Sequence, residues 1–463
     1  MAPFLDALAA VAVSKERGEV IAIALRLTKS NLELIISGNT TILPETIEYL
    51  HALWGLLGAL ADVCSKRHTS PMKSGDRDTS PPMRRELPQE DPPYNSLHRH
   101  IFKFCIAKFR RQFTKYWSKI DAFGRNHGAW RRAQSDFVDE TQENFESFRD
   151  MCRSLELCSD LLSELEENPD DEGLLDTLIQ AMSMAYEFAK VVLDSPTNCE
   201  TWVSRISTDN PQRKFWPSFC CPISLILFTF RLIVAGQPRL RRFIEKITTF
   251  YRHIVALNLS AYPPRLSPIY KLEFSITSVP VPAARIPAVI PTGTQQWLEI
   301  RDAMYRLKGY ESTSPACLIP RNFHGRTPVI HCEISLILYL DSTSDKPTFN
   351  YIGVSKLSCK ACHLWIAAHR NCTKGMMRYT RGSHDKWYPW YMPQCSEEIN
   401  RYFVGLVASE YCKEGERKGK ARRLSSKSDS TAASDVPGSQ ESIREHAKQF
   451  LASKKPISNA DRY

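Results

Sequence analysis

The sequence predicts an all-α N-terminal region followed by a C-terminal domain of α/β/α layers. Three observations carry this reading. Apolar residues recur at helical spacing until about Leu259, a proline-rich stretch then breaks the pattern, and short helices and strands alternate after Trp297. With 463 residues, at about 150 residues per domain, the chain is long enough for roughly three folded units. A composition of 43% hydrophobic and 10% aromatic residues supports sizeable cores and excludes a collagen, a coiled-coil rod or a disulfide-stapled mini-protein.

Residues 1–64 read as a helical segment, with Ile35, Ile36, Ile42, Leu43, Ile47, Leu50, Leu53, Trp54, Leu57 and Leu60 at helical spacing. Residues 65–95 combine Ser, Pro and charge with almost nothing to bury, which predicts a disordered linker. Helical patterns resume with Ser96 as an N-cap and fill an all-helical domain over 96–260, in which Asn168, Pro169 and Asp170 separate two helices. Prolines surround the alternating run YKLEFSITSV, so 261–296 reads as a connector with one strand. A second α/β domain follows over 297–412, and the basic, Ser-rich stretch 413–463 reads as a disordered tail with at most a short helix near Ser442 to Leu451.

Subtracting 51 acidic from 61 basic residues leaves +10, a moderate excess that favours polyanionic partners. The fourteen cysteines are scattered, and the first residues lack a basic region followed by an unbroken apolar run. Free thiols or metal ligands in an intracellular, cytoplasmic or nuclear setting are therefore expected. The most apolar run, Cys220 to Gly236, is interrupted by Arg231 and reads as a buried core helix, not a membrane span.

The chemistry is concentrated between Thr327 and Arg370. His331 and Glu333 form a His-x-Glu, and Cys359 and Cys362 form a Cys-x-x-Cys that begins 28 residues after His331. A mostly apolar helix around Ile334 to Leu340 advances about 15 Å, and a buried strand over Phe349 to Val354, after a turn at Asp345 to Pro347, returns roughly 20 Å. A second helix beginning near Ser358 then starts beside the first, so that His331, Cys359 and Cys362 converge. Thiols at i and i+3 share one side of a helical turn, and the positive end of the dipole favours their thiolates. His331 and Glu333 would face oppositely inside a helix, so His331 is expected at or before the helix start, with Glu333 pointing past the metal toward solvent or substrate. Three such ligands with an open fourth position describe catalytic zinc, and a carboxylate beside it that is not a ligand can carry a proton. The combination fits hydrolytic removal of an amino group from a ring.

His-x-Glu on one helix and Cys-x-x-Cys opening the next, with a strand between, resembles the cytidine deaminase superfamily. The segment RYTRGSHDKWYPW, residues 378–390, further resembles the toxin-type nucleic acid/nucleotide deaminase-like family expanded in fungi, whose members join a long helical N-terminal region to this domain. The likeness covers 297–412. It implies zinc held by His331, Cys359 and Cys362, zinc-bound hydroxide as the nucleophile, Glu333 as proton shuttle, and a nucleobase in nucleic acid or a nucleotide as substrate. Ser358 stands where most of the superfamily has proline, and Cys332 fills a position that is usually small.

Other readings accompany these. Cys359, Cys362, His369 and Cys372 could form a closed structural zinc site. Arg381, His384, Lys386, Trp387, Tyr388 and Trp390 could line a pocket in which a base stacks, or Trp387 and Trp390 could close the core. The helix from Leu97 to Trp117 reads as a solvated basic face over an aromatic core before it reads as a nucleic-acid contact. The non-enzymatic alternative is a zinc-stabilised interaction module in a defence or incompatibility system, whose helical region docks protein partners.

Overall fold

The computed structural model describes residues 1–69, 92–128, 139–194, 238–281, 294–309, 329–343, 347–373, 377–388 and 390–425. The chain is mostly helical with one small mixed sheet. It divides into two compact units, one made of Met1–Ile290 and Arg321–Val407, the other of Pro291–Pro320 and Ala408–Tyr463.

In the first unit helix α1 (Ala2–Val11) precedes a hairpin of β1 (Ile21–Leu27) and β2 (Asn31–Gly38). Among the described residues there follow the helices α2 (Pro44–Thr69), α3 (Pro92–Gly128), α4 (Asp139–Glu167), α5 (Glu172–Asp194) and α6 (Pro238–Ala261). A 3-10 helix (Pro264–Lys271) leads into β3 (Glu273–Val279), the strand expected within YKLEFSITSV. The later part of the chain supplies α8 (Cys332–Ser342), β4 (Gly353–Val354) and α9 (Lys360–Cys372). The strand order is β3-β2-β1-β4. β1 is antiparallel to β2 and to β4, with Ala22 opposite Val354 and Ile23 opposite Gly353, and β3 runs parallel to β2.

The hairpin overturns the helical reading of residues 1–64. Ile21, Ile23, Leu25, Leu32, Leu34 and Ile36 face the core built by α1 to α6, whereas Ala22, Ala24 and Ile35 face the core built by α8, α9 and their neighbours. Strands covered on both faces read as near-continuous apolar runs, which periodicity cannot separate from a buried helix. The helices α2 to α6 are thus inserted between two halves of one sheet. Helix α2 is long and apolar enough to cross a membrane over Pro44–Arg67; its Leu50, Leu53, Trp54, Leu57, Leu60 and Ala61 are buried in the first core.

Four element boundaries also shift. α2 continues to Thr69 and α3 opens at Pro92, so the expected linker is helical at both ends and its centre, 70–91, lies outside the described residues. Proline is at home in a first helical turn, where its missing N–H costs nothing, which moves the start ahead of Ser96. In the expected tail, helix α10 (Glu397–Ser425) carries on past Lys413, helped by the Lys413–Glu410 pair one turn back at 3.0 Å. The expected strand over Phe349 to Val354 narrows to Gly353–Val354, because Tyr351 turns aside to bridge Tyr379. The run Cys220 to Gly236 and the short helix near Ser442 lie outside the described residues.

The second unit contains α7 (Thr294–Arg306) and the later part of α10. There Tyr305 meets Tyr411 edge to face at 6.3 Å.

Candidate metal centre

His331 is the N-cap of α8 and has extended backbone (φ −76°, ψ 151°), and Cys359 is the N-cap of α9 (φ −73°, ψ 167°). Both side chains therefore leave the chain just before a helix begins. The His331 Nδ1 lies 3.5 Å from Cys359 Sγ and 3.3 Å from Cys362 Sγ. The three ligand atoms lie within 4.8 Å of one another, and among the described residues no other group of this kind forms. Tetrahedral zinc with Zn–N of about 2.0 Å and Zn–S of about 2.3 Å separates such atoms by about 3.5 Å. The donor set and its spacing fit that ion.

The two thiols differ. Cys359 is pulled down to about 4, first by the Cys362 thiol that bonds to it and then by the His331 imidazole and the Cys362 backbone N–H, against a burial that raises it. Cys362 is pushed well up, mainly by burial and then by the neighbouring Cys359 and Glu333.

Glu333 sits in the first turn of α8, is only 4% exposed and bonds the Cys362 thiol, so of the two directions expected for it, solvent or substrate, open solvent does not hold. Its Oε2 is 3.5 Å from Cys332 Sγ. Cys332 is fully buried among Ile334, Leu336 and Ile337, so the larger side chain at this position fills the core behind the site.

Ser358 has a structural reason to replace proline. Its N–H donates to the Gly382 carbonyl at 3.0 Å and its carbonyl accepts from the His384 N–H at 3.2 Å. Proline could make only the second bond. Lys360 N–H adds a bond to the Lys386 carbonyl at 2.9 Å, so the strap 382–386 is tied across the N-terminus of α9, beside Cys359. Along this strap Arg381, Lys386, Trp387 and Tyr388 are exposed, and the half-buried His384 meets Tyr388 at 5.3 Å. Trp390 separates from them: it packs on Phe403 at 5.1 Å and pairs with Val329, so it belongs to the core.

The closed four-ligand alternative does not form. His369 Nε2 bonds Asp341 at 2.7 Å and its ring stacks on Trp365, which ties the far ends of α8 and α9 together.

Several supporting residues escaped the sequence reading because they lie more than 300 positions away. The buried Asp6 of α1 accepts the Val354 N–H at 3.0 Å and the Tyr351 hydroxyl at 2.7 Å. Ile21 N–H donates to Ser355 Oγ at 2.9 Å. Nothing within residues 1–38 signals these partners locally.

Residues 330–394 match the family described as OTT_1508-like deaminase. No curated protein and no solved structure matches the chain. The matched segment holds the histidine, the acid and both thiols just described, and the match supports assigning residues 330–394 to the cytidine deaminase-like superfamily.

Proposed function

We propose that the protein is a zinc-dependent hydrolase that removes an amino group from a nucleobase, in nucleic acid or in a nucleotide. The observation that carries this is the convergence of His331 Nδ1 with the Cys359 and Cys362 sulfurs at 3.3–3.5 Å beside a buried, non-ligating Glu333. A zinc ion held by these three residues would acidify water for attack on the amino-bearing ring carbon.

The chain's own residues do the rest. The N-caps His331 and Cys359 and the first-turn Cys362 are fixed before any metal arrives, because helix starts and not loops hold them. Glu333 takes a proton at its carboxylate and returns it to the leaving amine, its burial keeping bulk water from short-circuiting the transfer. Trp387 and Tyr388, exposed on the strap beside the site, offer π-faces on which a base can stack.

The test combines metal analysis with an ammonia-release screen over bases, nucleotides and single-stranded polymers. Glu333→Gln is expected to keep its zinc and to lose amine release by about 10²-fold or more. Amine release unchanged in that variant with zinc bound would overturn the enzymatic reading and leave an interaction module. Cys359→Ser is expected to lose the metal.

A further inference from the structure

Helix α3 carries cations around its circumference, and the fold treats its sides differently. On one side Arg99 is paired with Asp176 and Glu172, Lys103 with Glu172 at 2.7 Å and Arg110 with Glu166 at 3.7 Å. On the other, Lys108 Nζ donates to the Ala10 carbonyl at 2.6 Å and Arg111 to the Glu16 carbonyl at 2.7 Å. From just ahead of α9, Lys356 Nζ reaches the same segment and donates to the Glu19 carbonyl at 3.1 Å. Three basic side chains from two distant parts of the chain thus converge on residues 10–19, and all three donate to backbone carbonyls.

The two buried carboxylates at this seam offset the charge only in part: Glu19 acts on Lys108 and Lys356, and Asp6 on Arg381, in each case without an ion pair. Glu19 accepts the N–H groups of Ser14 and Lys15, and Asp6 is occupied by Val354 and Tyr351. Glu16 is the exposed acid of the segment and is flanked by the exposed Lys15 and Arg17. Gln112, next to Arg111, donates to the Lys246 carbonyl at 2.6 Å, which brings the exposed Lys246 and Arg252 of α6 alongside. Arg381 closes the series at the metal end, one residue before the Gly382 carbonyl that holds Ser358. Its charge is felt by Asp6 on α1 and by His253 on α6, which also feels Arg252, Lys108 and Lys246. Among the described residues no carboxylate lies within ion-pair distance of Lys108, Arg111, Lys246, Arg252, Lys356 or Arg381.

We infer that this cationic seam, from the rim of the metal centre across α3 and α6, is a phosphate-backbone track for a single-stranded polynucleotide. A row of cations without ion-pair partners beside exposed aromatic rings is the combination that holds a strand without reading its sequence. The inference rests on the proposed reaction for the identity of the ligand's base, and it assigns the inserted helices a role: they hold the polymer whose base reaches the metal centre.

The probe is a fluorescent single strand of about 20 nucleotides of uracil or thymine, bases with no amino group to remove, so binding is read apart from turnover. The full-length protein is expected to bind it with an affinity that falls steeply with salt. Arg111→Gln, Lys246→Gln and Arg252→Gln combined should weaken binding about tenfold or more and reduce the log–log salt slope by about 2. Lys246→Gln with Arg252→Gln, both exposed, gives a smaller loss in the same direction should the triple variant misfold. Arg99→Gln with Lys103→Gln, on the neutralised side of α3, should leave binding unchanged. Absence of binding, or equal loss from both sides of the helix, overturns the track. Amine release from a free nucleotide in that case leaves the proposed reaction standing, and strand binding without amine release from any base leaves the track without the reaction.

Discussion

His98 shows how one buried side chain sets the molecule's response to acid. It is fully buried in α3, and its Nε2 accepts from the Asn258 amide at 2.8 Å, while no protein acceptor faces its Nδ1. Burial pushes it down to about 3. The folded protein therefore keeps this imidazole neutral where the unfolded chain, with an ordinary value of about 6.5, takes up a proton. The sign follows: stability is complete above pH 6.5 and is lost as the pH falls from there toward 3, at about 1.4 kcal/mol per pH unit for this one group. Urea unfolding between pH 7 and 4 should show a slope that His98→Gln reduces by about one proton; an unchanged slope would place the acid sensitivity elsewhere. At this scale the sequence was most legible around His331, Glu333, Cys359 and Cys362, since metal-ligand spacing is written into residue type and number. What it could not convey was the burial of Glu333, because its closeness to the thiols depends on the angle between two helices.

Among the elements, the contact of α1 with β4 decides whether the two halves of the sheet close. Gly353 sits where a Cβ would come within 2.2 Å of the Leu5 carbonyl oxygen and 2.3 Å of its carbon. Gly353→Ala must push α1 away and break the bonds from Asp6 to Tyr351 and Val354, at a cost of at least about 1–3 kcal/mol. The measurement is the urea midpoint together with zinc content, and both should fall; a midpoint unchanged from the parent would show that α1 yields freely. Helices α3, α5 and α6 were legible because each shows one apolar face, and β3 because it alternates. β1 and β2 were not, since covering both faces erases the period that identifies a half-buried strand.

For the molecule as a whole, the family resemblance lies in residues 330–394, yet the sheet beneath them is made largely by residues 21–38 and 273–279. A chain beginning at residue 39 loses β1 and β2 and exposes Ile334, Leu336 and Ile352 of the second core. It is expected to retain no zinc after gel filtration, whereas full retention would show that the segment stands alone. This topology left no local trace in the sequence, because pairing across such separations has no pattern that a sliding window can see.

Ile21 and Ser355, joined by a hydrogen bond, are 334 positions apart, and that distance has a consequence during synthesis. The hairpin leaves the ribosome long before its outer neighbour exists, and loop closure on this scale makes the final docking a slow, late event. A nascent or truncated polypeptide then carries helices without an assembled pocket. The proposed reaction would be withheld until translation has passed Cys362, a built-in delay that depends on chain connectivity alone.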